Sequence, residues 1–62
     1  ININTATARE LEALPGIGPA KAAAIIEFRS QRGPFDRKED IKKVSGIGEA
    51  TYSKIEPLIT VR

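Results

Sequence analysis

Two glycine-rich stretches hold the residues best suited to binding chemistry: Leu14-Pro15-Gly16-Ile17-Gly18-Pro19-Ala20-Lys21 and, thirty residues later, Val44-Ser45-Gly46-Ile47-Gly48-Glu49-Ala50-Thr51. Without a Cβ, Gly16 and Gly18 allow positive φ or the close approach of another molecule, and Pro15 stiffens the chain before them. Pro19 suits the first position of a helix, where a missing N–H costs nothing. A helix starting there opens with unpaired N–H groups at the mouth of a glycine turn, which is how backbone receives a phosphate. Lys21 in that first turn adds a mobile positive charge.

Covalent chemistry has no residues to perform it. The chain lacks His and Cys, which removes the commonest general base, the thiolate nucleophile and the usual zinc ligands. No paired carboxylates or base-activated nucleophile are evident, so the chain is read as no enzyme. Asp36, Glu39 and Asp40 suit the first turn of a helix through capping and the helix dipole, and the metal reading is set aside. Ten Lys and Arg against eight Asp and Glu give a net charge of +2, so the placement of charge matters more than its sum. No run is long or apolar enough for a membrane span or a signal peptide. There is no Met, even at position 1; the chain reads as a processed product or an excised domain, with any targeting segment preceding Ile1. Its 62 residues form one domain of the size that buries only about 60% of its unfolded surface.

The elements that must position the turns follow from local signals. Residues 1–6, Ile1-Asn2-Ile3-Asn4-Thr5-Ala6, form a lead-in strap with Ile3 tucked inward. Thr7-Ala8-Arg9-Glu10 has the form of a capping box, so a first helix begins near Ala8 with Leu11 and Leu14 on one face. A second helix runs from Pro19 to Arg32, with Ala22, Ile25, Ile26 and Arg29 in one stripe and Lys21, Ile25, Phe28 and Arg32 in the next. Gly33 is expected to end it in the left-handed conformation, and Pro34 to turn Phe35 back to the core. Asp36-Arg37-Lys38-Glu39 predicts a second capping box, with Asp36 as cap of a short helix to Lys43. A last helix from Glu49 to Glu56 has Pro57 in its final turn. The thirty-residue offset lays Ile25 on Ile55 and Leu11 on Ile41, so the chain holds two copies of one unit, 7–32 and 36–59. Neither is large enough to bury its own apolar face. Packed around Leu14, Ile25, Phe28, Phe35, Val44 and Ile55, they predict an all-α, pseudo-two-fold domain over 1–62, of about four short helices, with both hairpins on one side.

The paired signature resembles the helix-hairpin-helix domain, and ININTA, LPGIGPAKA, GPF and VSGIGEAT in this order are similar to the ComEA family of competence proteins. The likeness covers nearly the whole chain. It implies sequence-independent binding of double-stranded DNA, with hairpin amides on phosphates flanking the minor groove. The implied setting is DNA uptake in natural transformation: an extracytoplasmic receptor, periplasmic or membrane-anchored, alongside other uptake proteins. Carried over by position, the DNA contacts are Gly16, Ile17, Gly18, Ala20 and Lys21 in the first hairpin, and Gly46, Ile47, Gly48, Ala50 and Thr51 in the second, with Lys54. Some relatives hold a monovalent cation on hairpin carbonyls, here those of Glu12, Leu14 and Ile17; no other cofactor is implied. The second copy departs from the pattern, because Glu49 replaces Pro19 and competes with a phosphate at the helix start. Lys42, Lys43 and Lys54 are expected to offset this in part.

Plainer readings stand beside these. A glycine turn between helices is often only a tight connection, and the lysines could be solvated surface. Arg29 suits packing its stem on the core stripe. Phe28, Phe35 and Tyr52 are needed for the core more than for stacking on bases. The rival function is a structural or protein-docking module, since the paired fold also resembles PsbU, an extrinsic photosystem subunit that does not need DNA. Pro19-Ala20-Lys21 favours DNA, and Glu49 mildly favours docking.

Overall fold

The computed structural model describes all residues from Ile1 to Arg62. In chain order the elements are α1 (Ala8–Glu12), α2 (Pro19–Arg32), a 3₁₀ helix over Lys38–Lys43, α3 (Glu49–Ile55) and a second 3₁₀ helix over Glu56–Leu58. Five residues are too few for a helix to persist alone, and α1 is held by its cap. The Glu10 N–H donates to the Thr7 hydroxyl at 3.2 Å, and the Thr7 N–H to the Glu10 carboxylate at 2.9 Å. Pro19 opens α2 as expected.

Two expectations need correcting. Gly33 has φ 85° but ψ −179°, so it ends α2 with an abrupt turn into extended chain and not in the left-handed helical region; the result for Phe35 is still burial. The third helix is a 3₁₀ coil capped at Arg37, not at Asp36. The Arg37 N–H donates to the Asp40 carboxylate at 3.2 Å. Arginine has no acceptor to return the bond, so half of the box is missing. In the thirty-residue repeat, Arg37 and Asp40 are the counterparts of Thr7 and Glu10.

Four pairs of core residues stand thirty positions apart. Leu11 and Ile41, Leu14 and Val44, Ile17 and Ile47, and Ile25 and Ile55 are all buried, joined by Ile3, Ala6, Ala22, Phe35 and Ile59. Phe28 is only half-buried and stacks on Phe35, with ring centroids 5.3 Å apart. No polar side chain is buried.

The strap is a structural member. Asn2 and Thr60 form an isolated parallel bridge, with the Ile3 N–H on the Thr60 carbonyl at 2.9 Å. Asn4 joins three segments: its amide donates to the carbonyls of Phe35 and Val61, each at 3.0 Å, and accepts the Phe35 N–H at 2.7 Å. Arg29 reaches the Ile3 carbonyl at 3.0 Å, so its charge tethers the strap as well as its stem covering the stripe.

Candidate nucleic-acid interface

Each hairpin is built from a four-residue turn. The Ile17 N–H donates to the Leu14 carbonyl and the Ile47 N–H to that of Val44, both at 3.1 Å. Gly16 and Gly46, third in their turns, have φ of 78° and 93°, the type II pattern in which that position requires glycine. Ile17 and Ile47 are each 3% exposed. Their side chains anchor the turns to the core and their N–H groups are used within them, so neither offers an amide outward.

Gly18 and Gly48 behave differently. Their φ values are −94° and −106°, which any residue adopts, and a Cβ at either would meet nothing within 4 Å. They cap α2 and α3 without a side-chain acceptor. The N–H groups of Gly18, Ala20 and Lys21, and of Gly48, Ala50 and Thr51, consequently have no partner within the chain. The two helix starts present open donors with no side-chain cap, whereas at α1 the capping box takes the Thr7 and Glu10 N–H groups and leaves only those of Ala8 and Arg9.

Lys21 is half-buried, and its stem reaches the turn glycine of the other hairpin. Its Cγ and Cε lie 3.7 Å from where a Cβ on Gly46 would stand; reciprocally, Thr51 Cγ2 lies 3.8 Å from the corresponding point on Gly16. Each unit's helix thus covers the turn glycine of the other.

The remaining cations divide into paired and free. Lys42 contacts Glu49 at 3.0 Å and sits 4.9 Å above the Tyr52 ring. It therefore offsets Glu49 by direct pairing, not by standing free beside the hairpin. Lys43 faces Asp40 at 3.6 Å and Lys38 faces Glu56 at 2.9 Å. Lys54 is exposed and has no carboxylate within 4.0 Å. Burial pushes the Asp40 carboxyl up, but the Arg37 N–H and the charges of Lys43 and Arg37 outweigh it and hold the group below its ordinary 3.8. Burial, with Glu39 and Glu56 against Lys38 and Lys42, raises the Tyr52 phenol above 10.0. Of the carbonyls assigned to a monovalent cation, that of Leu14 accepts the Ile17 N–H and those of Glu12 and Ile17 accept none, a neutral donor set unsuited to the carboxylate chemistry of a divalent ion.

Sequence reasoning missed the crossing of Lys21 and Thr51. The signal was present in the repeat, since positions 21 and 51 are equivalent and a two-fold axis must exchange their contacts.

Comparison with known proteins agrees with this geometry. The family model of the helix-hairpin-helix motif matches residues 1–60. ComE operon protein 1 of Bacillus subtilis is 55% identical over the whole chain, which covers 30% of that protein. An uncharacterized protein of Haemophilus influenzae is 49% identical over 87% of the chain, covering 49% of its own length. The human endonuclease/exonuclease/phosphatase family domain-containing protein 1 is 43% identical over 90% of the chain, which spans 10% of it. The chain thus corresponds to half or less of each of these relatives. With two interlocked glycine hairpins and a motif match across nearly every residue, it belongs to the helix-hairpin-helix family.

Proposed function

We propose that this chain is a DNA-binding module that holds the duplex by its phosphates without reading bases, and that it captures DNA during natural competence. The observation that carries the reading is Gly18 and its repeat Gly48. The fold requires glycine at neither, yet both leave the following helix uncapped and its amides open. Gly48 fronts a helix of only seven residues, beside the paired Glu49, so the first hairpin is the main source of amides: Gly18, Ala20 and Lys21 supply N–H groups, and the Lys21 side chain supplies charge at the seam between the hairpins. Phosphate contacts of this kind fix position and carry no base information.

The ComEA resemblance gives the setting: an extracytoplasmic receptor, periplasmic or membrane-anchored through another part of a longer protein, passing DNA to uptake partners. No helix here is long and apolar enough to cross a membrane. Chemistry on the DNA would belong to other domains, as the nuclease-related relatives suggest by carrying a similar segment in one tenth of their length.

A labelled random duplex titrated by fluorescence anisotropy at several salt concentrations tests the reading. With about three phosphates neutralised, log K should fall with log salt at a slope of about −3, and Lys21→Ala should flatten it by about one. Absence of binding at low salt would favour the docking reading, which the Lys42–Glu49 pair at the second hairpin supports.

A further inference from the structure

The contacts across the two-fold seam change which hairpin Lys21 serves. Sequence places it in the first turn of α2, as part of the first hairpin. In the fold, its Cγ and Cε both run along Gly46, 3.7 Å from the position a Cβ would take. The ammonium is one bond beyond Cε, which sets the charge beside the seam between the two hairpins. That hairpin has Thr51 at the equivalent position and an acidic residue, Glu49, at its helix start. Thr51 in turn lays its methyl over Gly16, with Cγ2 3.8 Å from the Cβ position there. Gly46 is thus used twice: its positive φ closes the turn, and its bare backbone provides the floor on which the Lys21 stem rests.

The geometry points to a single shared cation: Lys21 carries its charge across the seam toward the second hairpin, so that one lysine serves both hairpins, with Thr51 positioning the first hairpin from the second unit. This inference rests on the DNA-binding reading above. Lys42 is committed to Glu49 at 3.0 Å, which leaves Lys21 as the lysine whose stem is seen to touch both units. The second hairpin acquires from Lys21 the charge that its own sequence lacks.

The two-fold repeat supplies the test, because positions 21 and 51 exchange under it. Lys21→Thr should flatten the salt slope by about one. Lys21→Thr combined with Thr51→Lys should restore it, since a lysine stem at position 51 would cross Gly16 as Lys21 crosses Gly46. Lys21→Thr with Ser53→Lys has the same net charge, but places it on an exposed position of α3 about 200° around the helix from Thr51, and should stay weak.

Equal rescue by both double variants would mean that only net charge matters, and would overturn the inference. So would failure of the Thr51→Lys combination with wild-type binding intact. If the wild type itself did not bind, the DNA reading would fall instead. Circular dichroism checks folding of each variant. Should the transposed pair not fold, the single variants Thr51→Lys and Ser53→Lys decide: a slope steeper by about one in the first and not in the second supports the seam, and equal slopes overturn it.

Discussion

Glu49 sits at the start of α3 with 83% of its side chain exposed and its charge held by Lys42. A surface pair of this kind is worth roughly 0–1 kcal/mol, so its removal should hardly alter stability. It should alter binding. Glu49→Gln removes a negative charge from the hairpin surface and frees Lys42, and the expected result is tighter DNA binding with a salt slope steeper by about one; an unchanged titration would put the second hairpin away from DNA. The glycines separate folding from binding in the same way. Gly46→Ala forces a Cβ into positive φ and should cost about 1–2 kcal/mol in a denaturant melt. Gly18→Ala meets no atom and no backbone strain, so its melt should fall by no more than the roughly 1 kcal/mol by which alanine is a poorer N-cap than glycine, while affinity falls as the methyl group holds the phosphate off. Wild-type affinity in that variant would remove the Gly18 amide from the interface. Sequence could mark these residues as turn glycines and predict the amide donors. It did not separate the two roles, because the difference lies in φ, which Pro15-Gly16 signals through the type II pattern and Gly18 does not signal at all.

Element by element, helix starts were the most legible feature and helix types the least. Thr7 and Glu10 form the expected box, and Pro19 opens α2 where predicted. The third helix was misplaced by one residue at its cap. Asp36 resembles a cap in isolation, whereas the repeat register selects Arg37, which accepts nothing, and the segment tightens into a 3₁₀ coil. Asp40 carries the remaining half of the box, and its titration is measurable. Because its folded pKa lies below 3.8, the unfolded chain binds the proton first as pH falls. The stability it contributes is complete above about pH 4 and is lost as pH drops through the folded value. Acid unfolding curves of the wild type and Asp40→Asn should therefore differ at neutral pH and converge at low pH. Parallel curves throughout would mean that the Arg37 and Lys43 contacts contribute nothing through charge.

For the molecule as a whole, the decisive fact is that neither half is complete. The buried pairs Leu11 and Ile41, Ile17 and Ile47, and Ile25 and Ile55 form one core, and total stability for a chain of this length is on the order of 3–9 kcal/mol. That margin makes Asn4 important. Its three hydrogen bonds hold the strap to Phe35 and Val61, and Asn4→Ala should cost about 2 kcal/mol by leaving those backbone groups without their partner; a melt unchanged within error would show water replacing the side chain freely. The strap was legible as an apolar and Asn alternation, but its partners were not, since they lie thirty-one and fifty-seven residues away in the chain.

The same strap determines how the domain answers to force. The Asn2–Thr60 bridge is parallel, so tension applied through the two ends of the chain draws the paired segments lengthwise past each other. The bonds of Ile3 and Thr60, with those of Asn4, then bear load together instead of opening one after another. A fold closed in this way resists tension through its two ends more than it would if the same bonds opened in sequence.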